Sequence, residues 1–367
     1  MEGVGVMRAD VNSNFWRGKR VLLTGHTGFK GGWLSLWLSS MGAIVTGYAL
    51  PPITRPNIYD VLGVGKLLHR SHFGDIRNLD ELKLLMRETE PEIVLHMAAQ
   101  PLVRYSYVNP VETYETNLMG TVHLLESMRY IDSVRATVVV TTDKCYENKE
   151  WIWGYRENEP MGGYDPYSNS KGCAELATSA YRQSYFSSEL YGKHGNAIAT
   201  ARAGNVIGGG DWSEDRLIPD ALKAFSNDVD LIIRNPLSIR PWQHVLEPLS
   251  GYLILAESLY EKGMVFASGW NFGPDDQDAR SVSEVINLLI KSYKPDSQWR
   301  VSTDEQPHEA RSLKLDCSKA EQLLNWLPRW RLETAIDKIS DWQKAFASKE
   351  DMRQISLSQI VSYTTSY

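Results

Sequence analysis

The chain has 367 residues, too many for one small core, and a net charge of −6 from 39 Lys and Arg against 45 Asp and Glu, so no general basic field is available to hold nucleic acid. Hydrophobic residues make up 43% and charged residues 23%, ordinary for a folded protein, and most of the 12 tryptophans are expected in the core. No metal site is expected: the three cysteines, Cys145, Cys173 and Cys317, lack CxxC or metal-ligand spacing and suit free thiols in a reducing compartment. No basic segment followed by an apolar run opens the chain, and the most apolar stretch, Trp33 to Leu50, is broken by Ser, Gly and Thr; a cytoplasmic protein without a membrane span is expected.

In chain order, residues 1–14 lack periodicity and read as a flexible arm. The apolar run Arg20 to Thr24 ends in glycines, as a buried parallel strand does. A helical pattern from Trp33 to Met41 leads to a second strand at Ala43 to Tyr48. Asp80 to Glu88 is amphipathic and precedes a strand at Glu92 to Met97; a helix over Pro110 to Arg129 precedes a strand at Ala136 to Thr141; a helix over Tyr167 to Leu190 precedes a strand at Asn196 to Ala201. This alternation predicts an α/β fold with a doubly wound Rossmann-type parallel sheet over residues 15–203, rejoined by about 242–276. Residues 204–241 and 277–345 read as a smaller α/β substrate-binding domain. Residues 346–367, polar and rich in Ser and Thr, read as a loosely held tail.

Three motifs carry chemistry. Gly25-His26-Thr27-Gly28-Phe29-Lys30-Gly31 has glycines spaced by three between a strand and a helix, the context in which backbone N–H groups and the helix N-terminus hold a dinucleotide pyrophosphate. Lys30 either adds charge near the phosphates or points to solvent. The second strand ends at Tyr48-Ala49 with no acid for the adenosine ribose, so the turn by itself does not choose NAD over NADP. Tyr167 and Lys171, four apart at the start of a helix, share one face; an ammonium near a phenol favours the phenolate, which can take a hydroxyl proton. At the end of the strand Ala136 to Thr141 stand Thr142, Asp143 and Lys144: a hydroxyl to orient a substrate oxygen, then an acid–base pair that hydride transfer alone does not need and an elimination does.

These motifs, with His96-Met97-Ala98-Ala99-Gln100-Pro101, Asn117-Leu118-Met119-Gly120-Thr121, Gly162 to Tyr167, Asn205 to Trp212, Arg240 to Val245, Trp270 to Gly273 and Pro307-His308-Glu309-Ala310, make the chain resemble the sugar-nucleotide 4,6-dehydratases of the extended short-chain dehydrogenase/reductase class from about residue 15 to 345. Most of that family carry Thr-Asp-Glu at the strand end; the branch acting on CDP-glucose carries Thr-Asp-Lys, as here. The resemblance implies a CDP-hexose substrate and a bound NAD. It also implies oxidation at C4 with Tyr167 as base, loss of water across C5 and C6 with Asp143 as acid and Lys144 as base, and reduction at C6. It implies cofactor contacts by residues 25–31, Asp75, Ile76, Ala98, Ala99, Tyr167 and Lys171, and substrate contacts by Gln100, Arg104, Asn205, Arg216, Leu217, Arg240, Asn271 and His308. A homodimer, with a homotetramer as alternative, and a role in deoxysugar and surface-polysaccharide synthesis follow from the same resemblance. A sugar-nucleotide epimerase or reductase would not need Asp143 and Lys144, and a catalytically silent NAD sensor would not need Tyr167 and Lys171.

Overall fold

The computed structural model describes residues 8–303 and 313–366. Seven strands form one sheet: β1 (Arg20–Thr24), β2 (Ile44–Ala49), β3 (Arg70–Phe73), β4 (Ile93–His96), β5 (Ala136–Val140), β6 (Ala197–Arg202) and β7 (Gly269–Asn271), in the spatial order β7-β6-β5-β4-β1-β2-β3. Every neighbouring pair is parallel. The chain starts in the middle, winds out to β3 and crosses back to β4. That reversal opens a crevice beyond the carboxyl ends of β1 and β4, where ligands of such sheets bind. The strands read as unbroken apolar runs because both faces are covered: Val21, Leu23, Ile93, Leu95, Val138 and Val140 enter one core, and Leu22, Val94, Val139 and Ile198 the other.

The helices α1 (Phe29–Ser40), α2 (Leu79–Thr89), α3 (Gly120–Met128) and α4 (Pro166–Ser184) cover these faces. In α2 the Asn78 side chain caps Glu81 N, and Leu82, Leu85 and Met86 are buried. The helix expected from Pro110 to Arg129 contains a widened π turn at Glu115–Met119, just before α3. Within it, Asn117 accepts from Gln100 N and donates to Gln100 O and Ser170 Oγ, tying the β4 loop to α4. Asp165 caps α4 through Ser168 N, with Pro166 in its first turn. The helix stops at Ser184, short of the expected Leu190; a separate 3₁₀ turn covers Ser188–Leu190.

Beyond β6, α5 (Leu217–Ser226) and α7 (Val282–Tyr293) pack with Leu231, Ile233, Trp242 and Ile336 around a core of their own, while α6 (Leu246–Lys262) returns to the sheet and buries Leu249, Tyr252 and Leu253 against it. Eight tryptophans are buried, including Trp16, Trp33, Trp270 and Trp342 at 0% exposure. Among the described residues no helix is long and apolar enough to cross a membrane, and no cluster of His, Cys, Asp and Glu could hold a metal ion.

The chain ends differ from expectation. After α8 (Leu332–Ala347) the polar tail forms α9 (Met352–Thr365), with Met352, Ile360 and Tyr363 buried in the main core. Its Ser356 accepts from Trp342 Nε1, and Tyr363 donates to the buried Glu247 carboxylate. Three well-spaced apolar anchors suffice because its polar side chains find partners inside. At the other end, Ala9 and Val11 pack against the core. Arg329 joins the two ends, donating to Ala9 O and Asp10 on one side and to Thr364 O and Ser366 O on the other.

Candidate active site

The glycine turn closes tightly. Gly25 has φ +79°, and a Cβ there would lie 2.7 Å from Ala98 N; a Cβ at Gly31 would lie 2.0 Å from Gly25 O. Gly28 opens α1 with no side-chain cap, so the first N–H groups of α1 remain available beside an exposed glycine. This cradle fits a dinucleotide pyrophosphate. Thr27 is committed to Leu50 O. His26 turns inward: it is fully buried, shares a 2.8 Å hydrogen bond with Ser71 Oγ and stacks on Phe73. Burial pushes its imidazole down to about 4, so it stays neutral and acts as packing against Gly47. Ala98 and Ala99 follow β4 beside the turn, with Ala98 N bound to Thr24 Oγ1. Asp75, just after β3, is paired with Arg77, and Ile76 is buried against Gly120.

A cavity of about 1090 Å³ adjoins this turn, between the carboxyl ends of β5 and β6 and the segments around α5. Thr142, Lys144 and Tyr167 line it together, and so does Lys30. Lys30 thus points neither outward to solvent nor simply along the turn. Burial, reinforced by Arg216 and Lys171, pushes its ammonium down to about 7. Tyr167 is held at its N–H by Ser106 Oγ, 3.1 Å away. Burial pushes its phenol up to about 12, opposed by the Thr142 hydroxyl. Lys171 lies behind, donating to Val140 O at 3.2 Å, and burial pushes it down to about 8.

Asp143 does not reach the cavity wall. A 3₁₀ turn, Asp143–Cys145, rotates it inward to 0% exposure, while Lys144 faces the cavity. Its Oδ1 accepts from Thr142 Oγ1 at 3.0 Å and lies 3.7 Å from Lys144 Nζ; its Oδ2 has no partner among the described residues and abuts Gly204. Below this turn the ends of β5, β6 and α4 are locked together: Glu175 accepts from Thr141, Thr200 and Arg202, and Arg202 also binds the Tyr146 hydroxyl.

On the far wall stand Arg104, Asn205, Arg216, Leu217 and Arg240. Asp211 holds Arg216 at 2.8 Å, and Arg104 and Arg234 both approach Asp215, at 2.9 and 3.6 Å. Asn205 has φ +44°, and its Oδ1 has no partner among the described residues. Two expected substrate contacts lie elsewhere. Asn271 is fully buried, accepting from Tyr146 and donating to Tyr155 O and Asp316 O, so its polar atoms are already used. Gln100 spends its side chain on Leu102 and Thr113. His308 lies outside the described residues. Sequence reading missed Arg234 and Gly204, which no motif marks, and gave no role to Asp211, which lies within the Asn205–Trp212 run.

The parallel sheet, the glycine cradle at its switch point and the Tyr167–Lys171 face beside the β5 end define an extended short-chain dehydrogenase/reductase fold. The profile of the GDP-mannose 4,6-dehydratase family matches residues 22–339, and the chain belongs to that family. It is 56% identical over 353 residues to the CDP-glucose 4,6-dehydratase of Salmonella typhimurium, covering 96% of this chain and 98% of that one. It is 26% identical to a dTDP-glucose 4,6-dehydratase of Xanthomonas campestris pv. campestris, over 88% of this chain and 92% of that one. Among solved structures, dTDP-glucose 4,6-dehydratase from Bacillus anthracis in complex with NAD superposes with a TM-score of 0.72 at 20% identity, covering 91% of this chain and 99% of that one.

Proposed function

We propose that the chain is a CDP-glucose 4,6-dehydratase, converting CDP-glucose to CDP-4-keto-6-deoxyglucose and water with NAD as resident cofactor. The observation that carries this reading is the β5 end: Thr142, Lys144 and Tyr167 line a single cavity, and Asp143 sits directly behind Thr142, hydrogen-bonded to its hydroxyl. NAD would rest on residues 25–31 and supply the acceptor and donor of a hydride. Tyr167, with Lys171 one turn further along α4, takes the proton of the sugar 4-hydroxyl while Thr142 orients that oxygen. The new ketone acidifies C5; Lys144, which faces the cavity, takes the C5 proton and later returns it, and Asp143 holds the proton that the departing 6-hydroxyl needs. Arg216, Arg240 and Arg104 offer the cationic wall for the CDP pyrophosphate, with Asn205 and Leu217 beside them.

The product class suits deoxysugar synthesis for surface polysaccharides, and the three unpaired thiols suit a reducing cytoplasm. Exposed Tyr105, Val108 and Val111 on the short helices before α3, with exposed Leu176 on α4, support a homodimer through that face. The test is to incubate the protein with NAD and, separately, CDP-, UDP-, dTDP- and GDP-glucose, following the sugar by NMR. A methyl doublet replacing the C6 hydroxymethyl signals with CDP-glucose alone, without net NADH, is the expected result. No methyl group from any of them refutes the reading.

A further inference from the structure

This inference rests on the CDP-glucose reading and concerns how the site tells cytosine from the other pyrimidines. A cationic wall holds the diphosphate of any sugar nucleotide alike, so a choice of base needs a contact at the base itself.

The wall beyond Arg216 changes character. Arg216 caps the start of α5, and Leu217 and Asp220 follow it, three apart and so on one face; both line the cavity. The other face of α5 buries Ile218, Ala221 and Leu222 in the core. The short strand Leu231–Ile233, packed against α5, and Val282 at the start of α7 line the same part of the cavity. A ligand entering past Arg216 therefore meets aliphatic side chains and then one acid. That is the order in which CDP-glucose presents diphosphate, ribose and base.

Asp220 is an odd residue for this place. It is a half-buried carboxylate in the wall of a cavity that takes an anion, and its side chain makes no hydrogen bond or ion pair among the described residues. The nearby guanidinium groups are engaged elsewhere, Arg216 with Asp211 at 2.8 Å and Arg234 with Asp215 at 3.6 Å. Burial, with the charge of Asp215 second, pushes the Asp220 carboxyl up to about 6, and Arg234 pulls the other way. At neutral pH the group is still ionised, and an ionised carboxylate has acceptors only. A half-buried acceptor without a donor is costly unless the ligand brings one. Cytosine does: its edge carries a 4-amino donor where uracil and thymine carry the O4 acceptor.

We propose that Asp220 is the residue that selects cytosine, accepting a hydrogen bond from its 4-amino group and turning away uracil and thymine, whose O4 would meet the carboxylate lone pair to lone pair.

The test measures Kd for CDP and for UDP by calorimetry on the NAD-loaded protein, for wild type, Asp220→Asn and Asp220→Ala, with thermal midpoints alongside. Wild type is expected to bind CDP roughly 10–100-fold tighter than UDP, the scale of one charge-assisted base contact. In Asp220→Asn the preference shrinks to about threefold or less, because CDP weakens while UDP improves, the amide nitrogen now donating to O4. Asp220→Ala also loses the preference, chiefly through weaker CDP. Two variants of different shape keep a folding defect in one of them from deciding the result. A preference that both variants retain overturns the proposal. That outcome covers a carboxylate that meets no ligand, where neither Kd moves, and one that holds a ribose hydroxyl, where both weaken together. A wild type that binds UDP as tightly as CDP overturns it as well. If wild type still turns CDP-glucose into methyl product, either result removes Asp220 and leaves the dehydratase reading standing. A wild type that forms no methyl product overturns that reading, and the role of Asp220 with it.

Discussion

A single added methyl group at Gly204 tests how the site is built. An alanine Cβ there would lie 1.8 Å from Asp143 Oδ2 and 2.1 Å from its Cγ, where real Cβ contacts essentially never fall below 3.0 Å. The strand cannot yield easily, because two residues earlier Arg202 is fixed to Glu175 through its Nε and Nη2, and Glu175 also holds Thr141 and Thr200. The carboxylate must therefore retreat by more than about 1 Å, which breaks or badly stretches its 3.0 Å bond to Thr142. Misplacing a reacting group by that much costs on the order of 10²-fold in rate, and overpacking a buried site costs about 1–3 kcal/mol of stability. We predict that Gly204→Ala folds, with urea unfolding shifted by that amount, binds CDP-glucose with little change, and loses about 10²-fold in kcat. A variant whose kcat stays within about threefold of wild type would show that the packing of Asp143 against Gly204 has no part in the chemistry.

Four further expectations follow. Tyr167→Phe should lower kcat by about 10²–10⁴-fold with the thermal midpoint retained, which product NMR and calorimetry read together. Lys171→Met should abolish turnover yet stabilise the fold. Burial lowers the folded pKa of Lys171 from 10.5 to about 8, so the unfolded chain binds the extra proton between those values, and the penalty is full below about 8 and fades above it. The variant should gain on the order of 3 kcal/mol at pH 7, a gain that shrinks toward pH 10, and a pH-independent difference in midpoint counts against it. Arg216→Ala should raise the KM for CDP-glucose by roughly 10–100-fold, the value of a charge-assisted contact, measured by initial rates. Tyr363→Ala should cost about 3–5 kcal/mol in urea unfolding, because a buried ring and a donor to Glu247 go together.

The sheet was legible because its strands are buried on both faces and so appear as apolar runs between glycines and helical periods. The glycine turn and the Tyr167–Lys171 pair were legible because spacing along a strand–turn–helix fixes their geometry. The orientation of Asp143 was not. Adjacent residues in a 3₁₀ turn point in different directions, so the sequence pairs Asp143 with Lys144 but does not say which one faces the ligand. Lys30 was ambiguous for a similar reason: a long side chain at a helix start can reach either way, and only the packing turns it into the cavity. Asn271 and Gln100 lie in runs for which the resemblance implies substrate contacts, but their side chains are consumed by the surrounding chain. Composition hid α9, whose buried Ser356 hydroxyl and Gln359 amide nitrogen find partners on α8.

Arg329 holds the first described residues and the last ones on a single guanidinium. Two stretches far apart in sequence therefore share one anchor, so loosening residues 9–10 withdraws part of what holds residues 364–366, and the reverse; the two open as one unit.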